Sequence, residues 1–506
     1  MEQINLSDIS KSTKLESFSK QEIIKKYSVL ESELSRVIKE NYQLRNLQIS
    51  DNQLKLILEE QLASLRADIF GASSERYKKP EKNKVIEAPK PRIKKPSERY
   101  PNIPVREITI AISPEPHCES CGEIMSDSGM TEDSEQLTVI PKKFEILLQK
   151  RVKYRCQCQS CIITAPNPAR VIPGSAYSDE MILDVGLSKY CDLIPIERYS
   201  SMAARSGLMD LPPHSLIALT HQLADFVSDS YELIKKEILE ARVLNADETP
   251  HRMLEGSKKK TWYLWGFSTP ELCFLECHDT RSGNVASEVL LNSKCEVLVT
   301  DVYSGYAKAI KDTNETRHKN NQPLIRGANC NAHARRYFFK PRLHYKEAEF
   351  YLDCYHKIYQ LNSDSKGKPP DAVLSLRSEM KVYFGAMRER AIEEISRYPN
   401  KNQYGKALNY FLKNYVGLTL FLEQAYVPID NNAQERLLRS HVVGRKTWYG
   451  THSEQGSKTA AILFSLVETC KLNKVNPREY FKDLVEDLLA GKKPYTPKHY
   501  KDLVDS

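Results

Sequence analysis

Apolar residues recur at heptad-like spacing in the first part of the chain and predict long helices there. The first series is Leu30, Leu34, Val37 and Leu44, and the second is Leu54, Leu58, Leu62, Leu65 and Ile69. Asn41 falls on the apolar seam, where a polar residue can fix the register of paired helices. We predict a self-associating coiled coil within residues 1–73, with an amphipathic helix folded back on its own domain as the alternative.

Short apolar runs of strand length alternate with helical patterns in the middle of the chain. The predicted strands are residues 243–250, 261–267, 272–277, 296–301 and 324–329. Helices are predicted over 283–291, between the third and fourth strands, and from Cys330 onward. The order of three strands, helix, strand, helix, strand and helix is that of a ribonuclease-H-like fold, in which the first and fourth strands are neighbours.

Helical patterns flank this predicted core on both sides. Before it, residues 176–240 contain segments at 181–192 and 196–206 and a helix opened by Pro212 and Pro213. The break at Gly207 indicates a helix-turn-helix that contacts DNA, or else a purely structural bundle. After the first core part, 241–340, we predict an all-helical insertion at 341–427. The last core part is 428–470, and 471–506 is a helical tail.

Together with the element pattern, which predicts a multidomain α/β protein, the length and charge fit several domains and are compatible with a polyanionic partner. The 506 residues suggest about three domains, and 74 Lys and Arg against 66 Asp and Glu give a net charge of +8. Ten of those basic residues against four Glu lie between 74 and 100, so 74–104 is predicted to be a basic flexible linker. The first residues lack the pattern of a secretory signal, and no apolar run is long enough to span a bilayer, which favours a cytoplasmic location.

Five of the 12 cysteines lie between positions 118 and 161, in a predicted zinc-binding module at 105–175. Two CxxC pairs can supply four thiolates in tetrahedral geometry, the arrangement that one structural Zn²⁺ prefers. The predicted ligands are Cys118, Cys121, Cys158 and Cys161, with Cys156 as an alternate for Cys158. Buried free cysteines are the alternative, and they fit poorly with the polar neighbours.

Acidic residues close two of the predicted strands. Asp247 is taken as the first acid of a metal site, and Asp301 ends the fourth strand. Because those strands are neighbours, the two carboxylates can meet over one cation. A third carboxylate should come from a late helix, where Glu435 lies about one turn inside a segment that Asn431 or Asn432 can cap.

Several blocks in this order resemble the transposases of the insertion sequence 66 family. They read ADET, TDVYSGY, CNAHARRYF and IDNNAQERLLRSHVVGRKTWYG, and the resemblance covers nearly the whole chain. It implies that Asp247, Asp301 and Glu435 are the DDE acids. Asn331 departs from the family, which often has tryptophan there, and is expected to alter packing alone.

The resemblance and the acids together predict two Mg²⁺ (or Mn²⁺) ions, bridged by Asp247 and flanked by Asp301 and Glu435. Asp430 is the runner-up for the third ligand. Glu248 is expected either to contact the metal-binding acids without binding metal itself or to be exposed to solvent. His333, three residues beyond Cys330, raises the possibility of a second zinc, but no other pair nearby completes a site.

Basic residues around the third acid are predicted to hold DNA phosphates. They are Arg436, Arg439, Arg445 and Lys446, with a solvated helix face as the alternative. His333 and Arg336 are expected to line the edge of the active site, an inference that leans on the resemblance. Trp448 and Tyr449 are expected either to stack on a flipped base or to pack in the core.

The predicted function is that of a DNA transposase that cleaves and joins insertion-sequence ends by metal-dependent phosphoryl transfer. Its expected partners are the terminal inverted repeats and the target DNA, further copies of the chain in a homo-oligomer, and small accessory proteins of the same element. Two alternatives remain: a metal-dependent nuclease without strand transfer, and a zinc-containing DNA-binding protein with a degenerate core.

Overall fold

A computed structural model describes residues 95–110, 117, 120, 122–124, 133–140, 142–155, 161–255, 259–398 and 402–504, with Ser32, Arg36 and Val37. The chain divides into two compact units, Met1–Ala72 with Gln149–Ser506, and Ser73–Leu148. The predicted coiled coil lies outside the described residues, apart from those three helical positions. So do four cysteines of the predicted zinc module, Cys118, Cys121, Cys156 and Cys158, whereas Cys161 is described and exposed.

In the smaller unit, one helical turn is held by an acidic side chain. Helix α1, Pro96–Arg99, begins with a proline at its first position, where the missing N–H costs nothing. The Ser97 backbone N–H and hydroxyl both donate to the Glu135 carboxylate, at 2.9 Å each. The end of the predicted linker is therefore ordered; residues 74–94 lie outside the described part of the chain.

In the larger unit, a short hairpin and four helices precede the sheet. Strands β1 (Lys153–Arg155) and β2 (Ile162–Thr164) pair antiparallel. The helices are α2 (Asp179–Tyr190), α3 (Ile196–Arg205), α4 (Pro213–Phe226) and α5 (Ser228–Glu240). They match the predicted segments, and the break between α3 and α4 contains Gly207 at a φ of +91°, which glycine tolerates best. Contact with DNA by these helices remains a prediction.

The core of the larger unit is a mixed five-stranded sheet. Its strands are β3 (Val243–Arg252), β4 (Thr261–Ser268), β5 (Cys273–His278), β6 (Val297–Thr300) and β7 (Arg326–Asn329). Their order is β5-β4-β3-β6-β7, with β3 parallel to β6 and β6 parallel to β7. The prediction that the first and fourth strands are neighbours is confirmed. The crossover helices are α6 (Asn284–Leu291) and α7 (Ser304–Lys319), and α8 (Asn331–Phe339) follows β7.

The predicted helical insertion is also present, and it contains no strand among its described residues. It consists of a 3-10 turn at Lys340–Leu343, α9 (Glu347–Asp364), α10 (Pro370–Glu394), α11 (Gln403–Lys413), α12 (Tyr415–Thr419) and a 3-10 turn at Leu420–Glu423. Aromatic rings fill its core: Phe338 of α8 stacks on Tyr351 of α9, with centroids 4.1 Å apart and planes 3° apart. Such contacts join the insertion to the sheet through α8.

Three helices and a short final one complete the unit: α13 (Asn432–Trp448), α14 (Glu454–Leu472), α15 (Pro477–Leu489) and α16 (Pro497–Val504). Helix α14 covers the edge strand β5. The Leu275 N–H donates to the Ser465 hydroxyl at 2.9 Å, and the Cys273 N–H donates to the Thr469 hydroxyl at 3.1 Å. These side chains occupy edge groups that would otherwise be open to another strand. Within the described residues, no helix is long and apolar enough to cross a membrane.

Gly283 gives a test of the packing beside Asp301. A Cβ atom at Gly283 would lie 2.2 Å from the Gly305 carbonyl oxygen, at the start of α7, and a backbone atom cannot rotate away. We expect Gly283→Ala to lower the free energy of unfolding by about 1–3 kcal/mol, the usual effect of overpacking. Gly385→Ala, inside α10 with nothing within 4 Å of its Cβ, should instead stabilise by up to about 1 kcal/mol. Thermal denaturation of both variants checks this, and a Gly283→Ala midpoint at or above the wild-type value contradicts the packing.

Candidate active site

Two acids lie at adjacent positions where β3 and β6 run side by side. In the parallel register Asn245 is opposite Val299, so two residues further along each strand come Asp247 and Asp301. Asp301 directly follows β6, and its Oδ1 accepts a hydrogen bond of 3.0 Å from the Tyr303 N–H, which turns the chain into α7. The register thus brings together two acids that are 54 residues apart.

The start of helix α13 is fixed to β3 by Asn431. This side chain is only 1% exposed. Its Nδ2 donates to the Ala246 carbonyl at 2.8 Å, and its Oδ1 accepts from the Asn245 Nδ2 at 2.8 Å. Its backbone N–H donates to the Cys330 Sγ at 3.2 Å. Asn431 therefore joins α13 to the strand of Asp247 and to the end of β7.

The rest of α13 follows the same part of the sheet. Gly266, which is paired with Asp247 in the β3–β4 ladder, is in close contact with the buried Gln434 side chain. Further along α13, His441 Nε2 lies 2.8 Å from His251 Nδ1. Arg445 donates a hydrogen bond to the Pro250 carbonyl. Helix α13 thus places Glu435, in its first turn, over the acidic end of the sheet.

The electrostatics of Asp247 reflect these neighbours. Burial first, and then the nearby carboxylates of Glu248, Asp301 and Glu435, together raise the pKa of its carboxyl to about 7. The Glu248 N–H, which donates to Asp247 Oδ1 at 2.9 Å, acts in the opposite direction. Negative charge in a buried place is costly without a cation. The three predicted acids are therefore close enough to interact and are incompletely compensated by protein groups.

Glu248 is buried and paired, so the prediction that left it either supporting or exposed is settled in favour of support. Its side chain is 3% exposed and forms an ion pair with Arg281, 2.7 Å from Nη2 to Oε1. Its Oε2 accepts a 2.6 Å hydrogen bond from the Tyr306 hydroxyl of α7. Burial raises the pKa of Glu248, while Tyr306 and Arg281 oppose that rise. Glu248 holds the start of α7, next to Asp301, against β3.

A second group of possible ligands includes Glu435. The ligand atoms of Cys330, His333 and Glu435 all lie within 4.8 Å of one another, and His333 Nδ1 is 3.8 Å from Glu435 Oε1. The sequence offered no other pair to complete a site with Cys330 and His333, and the fold brings the single carboxylate of Glu435 beside them. Among the described residues, the three acids do not form so compact a group.

Asp430 and Asn431 both shape the start of α13, and the role of Asp430 as an alternative third ligand stays a prediction. The Asp430 carboxylate accepts hydrogen bonds from the Tyr359 hydroxyl and from the backbone and side chain of Asn432, so it organises the start of α13. Asn431 occupies the N-cap position, but its side chain makes no capping bond, because it binds β3 instead. Asn331 does more than pack: its buried Nδ2 donates to the Leu418 and Ile429 carbonyls.

The predicted DNA-binding residues fall into two groups. Arg436, Arg439 and Lys446 are exposed along α13, whereas Arg445 is half-buried against Pro250. His333 and Arg336 are half-buried on α8.

The two aromatic residues at the end of α13, Trp448 and Tyr449, have different surroundings. The Trp448 ring packs against Gly444 and under the Lys189 ammonium, 4.4 Å away, which favours the packing role. Tyr449 ends the helix with a φ of +67° and is 70% exposed.

Several residues of the site carried no signal in the sequence. Arg281 lies in a loop, and nothing local pairs it with Glu248. His251 and His441 form a buried pair across 190 residues, and burial lowers the pKa of His251 to about 4.

Comparisons with known proteins agree with this architecture. A family model described as "Transposase IS66 family" matches residues 174–459, and a second, "IS66 C-terminal element", matches residues 465–502. Two similar proteins of Sinorhizobium fredii (strain NBRC 101917 / NGR234) are named uncharacterized protein y4hP and uncharacterized protein y4qI. The first is 24% identical, over 74% of this chain and 71% of its own length. The second is 25% identical, over 71% and 68%.

Asn431→Ala tests whether the α13–β3 junction holds the site together. The change leaves the Ala246 carbonyl and the Asn245 amide buried without their partner, so we expect the free energy of unfolding to fall by about 2–4 kcal/mol. The neighbouring Asn432→Ala removes a side-chain bond to Asp430 alone and should cost about 1 kcal/mol or less. Chemical denaturation of both variants measures the difference. Equal losses would show that the junction is not held by Asn431.

Proposed function

The chain belongs to the IS66 transposase family, and we propose that it cleaves and joins DNA at insertion-sequence ends by metal-dependent phosphoryl transfer. The observation that carries the chemical part of this proposal is the position of Asp301 and Glu435 near Asp247, whose pKa both raise. Asp247, Asp301 and Glu435 are the proposed DDE acids. The strand order β5-β4-β3-β6-β7 supports a ribonuclease-H-like core, with the helical insertion between β7 and α13.

The donor set fits hard divalent cations. Three carboxylates, one within β3, one directly after β6 and one on α13, offer oxygen ligands only, which suits Mg²⁺ or Mn²⁺. Asp247, Asp301 and Glu435 would together hold the ions. When bound, such ions supply activation of the attacking hydroxyl and stabilisation of the leaving oxygen in an in-line displacement.

The residues of the chain would position the DNA and keep the acids in place. Glu248, with Arg281 and Tyr306, holds the segment after Asp301 against β3. The exposed Arg436, Arg439 and Lys446 on α13 are proposed to contact phosphates next to Glu435, with His333 and Arg336 at the edge. Arg445 would act mainly by fixing α13 to Pro250. No covalent protein–DNA intermediate is needed.

The remaining parts of the proposal come from the sequence. A structural zinc ion in the module at 105–175, an oligomer formed through residues 1–73, and accessory proteins of the same element are proposed on that basis. A nuclease without strand transfer shares every feature of the site and is the second candidate. A DNA-binding protein with a degenerate core is disfavoured, because all three acids are present around one end of the sheet.

Substitution of Asp301 separates these candidates. With supercoiled plasmid carrying the cognate ends, Asp301→Asn should lower the Mg²⁺-dependent cleavage rate by more than about a hundredfold, because a ligand oxygen loses its charge. DNA binding in a mobility-shift assay should be unchanged. Asp312→Asn, on α7 outside the site, is the matched control and should cleave normally.

The outcome for each candidate is distinct. Cleavage that is independent of Asp247, Asp301 and Glu435 would reject the proposed chemistry. Cleavage without joined products would favour the nuclease, provided that any accessory proteins of the element are supplied.

A further inference from the structure

We propose that Cys330, His333 and Glu435 form a site for a borderline divalent cation such as Zn²⁺, which shares Glu435 with the set of three acids. The site brings together one sulfur, one nitrogen and one oxygen donor, with all ligand atoms within 4.8 Å. Mg²⁺ prefers oxygen ligands alone, whereas thiolate and imidazole select softer ions. The chemistry of this donor set therefore differs from that of Asp247 and Asp301.

Two helix starts build the site. Cys330 is the N-cap of α8, His333 lies in the first turn of that helix, and Glu435 lies in the first turn of α13. The hydrogen bond from the Asn431 N–H to Cys330 Sγ holds the two starts together at 3.2 Å. The positive ends of both helices favour negatively charged ligands such as a thiolate and a carboxylate.

Two ligand atoms of this cluster are buried and form no hydrogen bond. Among the described residues, His333 Nδ1 and Glu435 Oε1 are buried atoms without a hydrogen-bond partner. They face each other at 3.8 Å, which is too far for a hydrogen bond. Buried polar atoms normally have partners, so this pair requires an explanation. A cation between them satisfies both.

The spacing suits a small tetrahedral ion. Bond lengths of about 2.0–2.3 Å to Zn²⁺ imply separations of about 3.3–3.6 Å between ligand atoms. The His333–Glu435 separation of 3.8 Å exceeds these by about 0.2–0.5 Å. The other pairs, all within 4.8 Å, would have to close by no more than about 1.5 Å through side-chain rotation. The side chains of His333 and Glu435 are 28% and 31% exposed, so a water or phosphate oxygen can reach a fourth position. Binding would release the Cys330 thiol proton to solvent as the sulfur–metal bond forms.

The site would also affect the proposed reaction, and this consequence rests on the proposed function. Glu435 belongs to both donor sets, and its carboxylate cannot complete both in full. Zn²⁺ held by Cys330 and His333 would therefore draw Glu435 away from Asp247. The inference is that Zn²⁺ inhibits Mg²⁺-dependent DNA cleavage through this site.

Zinc content tests the site without reference to catalysis. The full-length chain is incubated with excess Zn²⁺, desalted and analysed by inductively coupled plasma mass spectrometry. Wild type should hold one more zinc per chain than Cys330→Ser, in which the serine can still cap α8. Glu435→Gln is the second variant, which keeps the size of the side chain and has no hydrogen bond at Oε1 to lose. Cys354→Ser, a buried cysteine of α9, is the matched control and should keep the wild-type content.

The possible results separate the site from the function. Equal zinc content in wild type, Cys330→Ser and Glu435→Gln overturns the proposed site. If the site exists, the Zn²⁺ concentration that halves cleavage, relative to each variant's own zinc-free rate, should be about ten- to a hundredfold higher for Cys330→Ser. If the variants hold one zinc fewer than wild type, the site is upheld. If in addition no form of the chain cleaves DNA, that result counts against the transposase chemistry.

Discussion

The position of the third acid depends on the burial of Asn431 between α13 and β3. Its side chain satisfies the Ala246 carbonyl and the Asn245 amide, and its backbone N–H reaches the Cys330 sulfur. Each of these groups is buried, so separating the helix from the strand would leave several polar atoms without partners. That penalty fixes the start of α13 in one place. Glu435 lies one turn further along the helix, so its position is fixed as well, although it is 188 residues from Asp247 in the sequence.

The helical insertion contributes to the same constraint from the other side. Tyr359 of α9 donates to the Asp430 carboxylate, and Asn331 of α8 donates to the carbonyls of Leu418 and Ile429. These bonds fix the segment that enters α13. A long insertion between the second and third acids therefore does not loosen the site. Its packed aromatic core, which includes Phe338 and Tyr351, makes it a rigid support for the last part of the sheet domain.

Local patterns in the sequence predicted the elements well, because each strand and crossover helix carries its own periodicity. The neighbouring positions of Asp247 and Asp301 followed from strand order alone. Cross-element partners were harder to predict. Asn431 has the side chain of a helix cap, and only the presence of β3 beside it shows that the amide bonds to the strand instead. Glu248 could not be assigned for a similar reason, since Arg281 and Tyr306 reach it from separate elements.

Glu435 lies near both Asp247 and His333, so the two proposed metal sites share this carboxylate. On the sheet side, Asp247 is buried enough that its pKa rises to about 7, and its neighbours add only oxygen donors. On the helix side, Cys330 and His333 add sulfur and nitrogen. Both arrangements arise because β6, β7 and α13 all place their polar ends at the same edge of the sheet. Glu435 lies at that edge because α13 begins there. A position near Asp247 therefore also brings Glu435 near the start of α8. In the two proposals taken together, small movements of the Glu435 side chain, and not a rearrangement of the fold, decide which metal it binds.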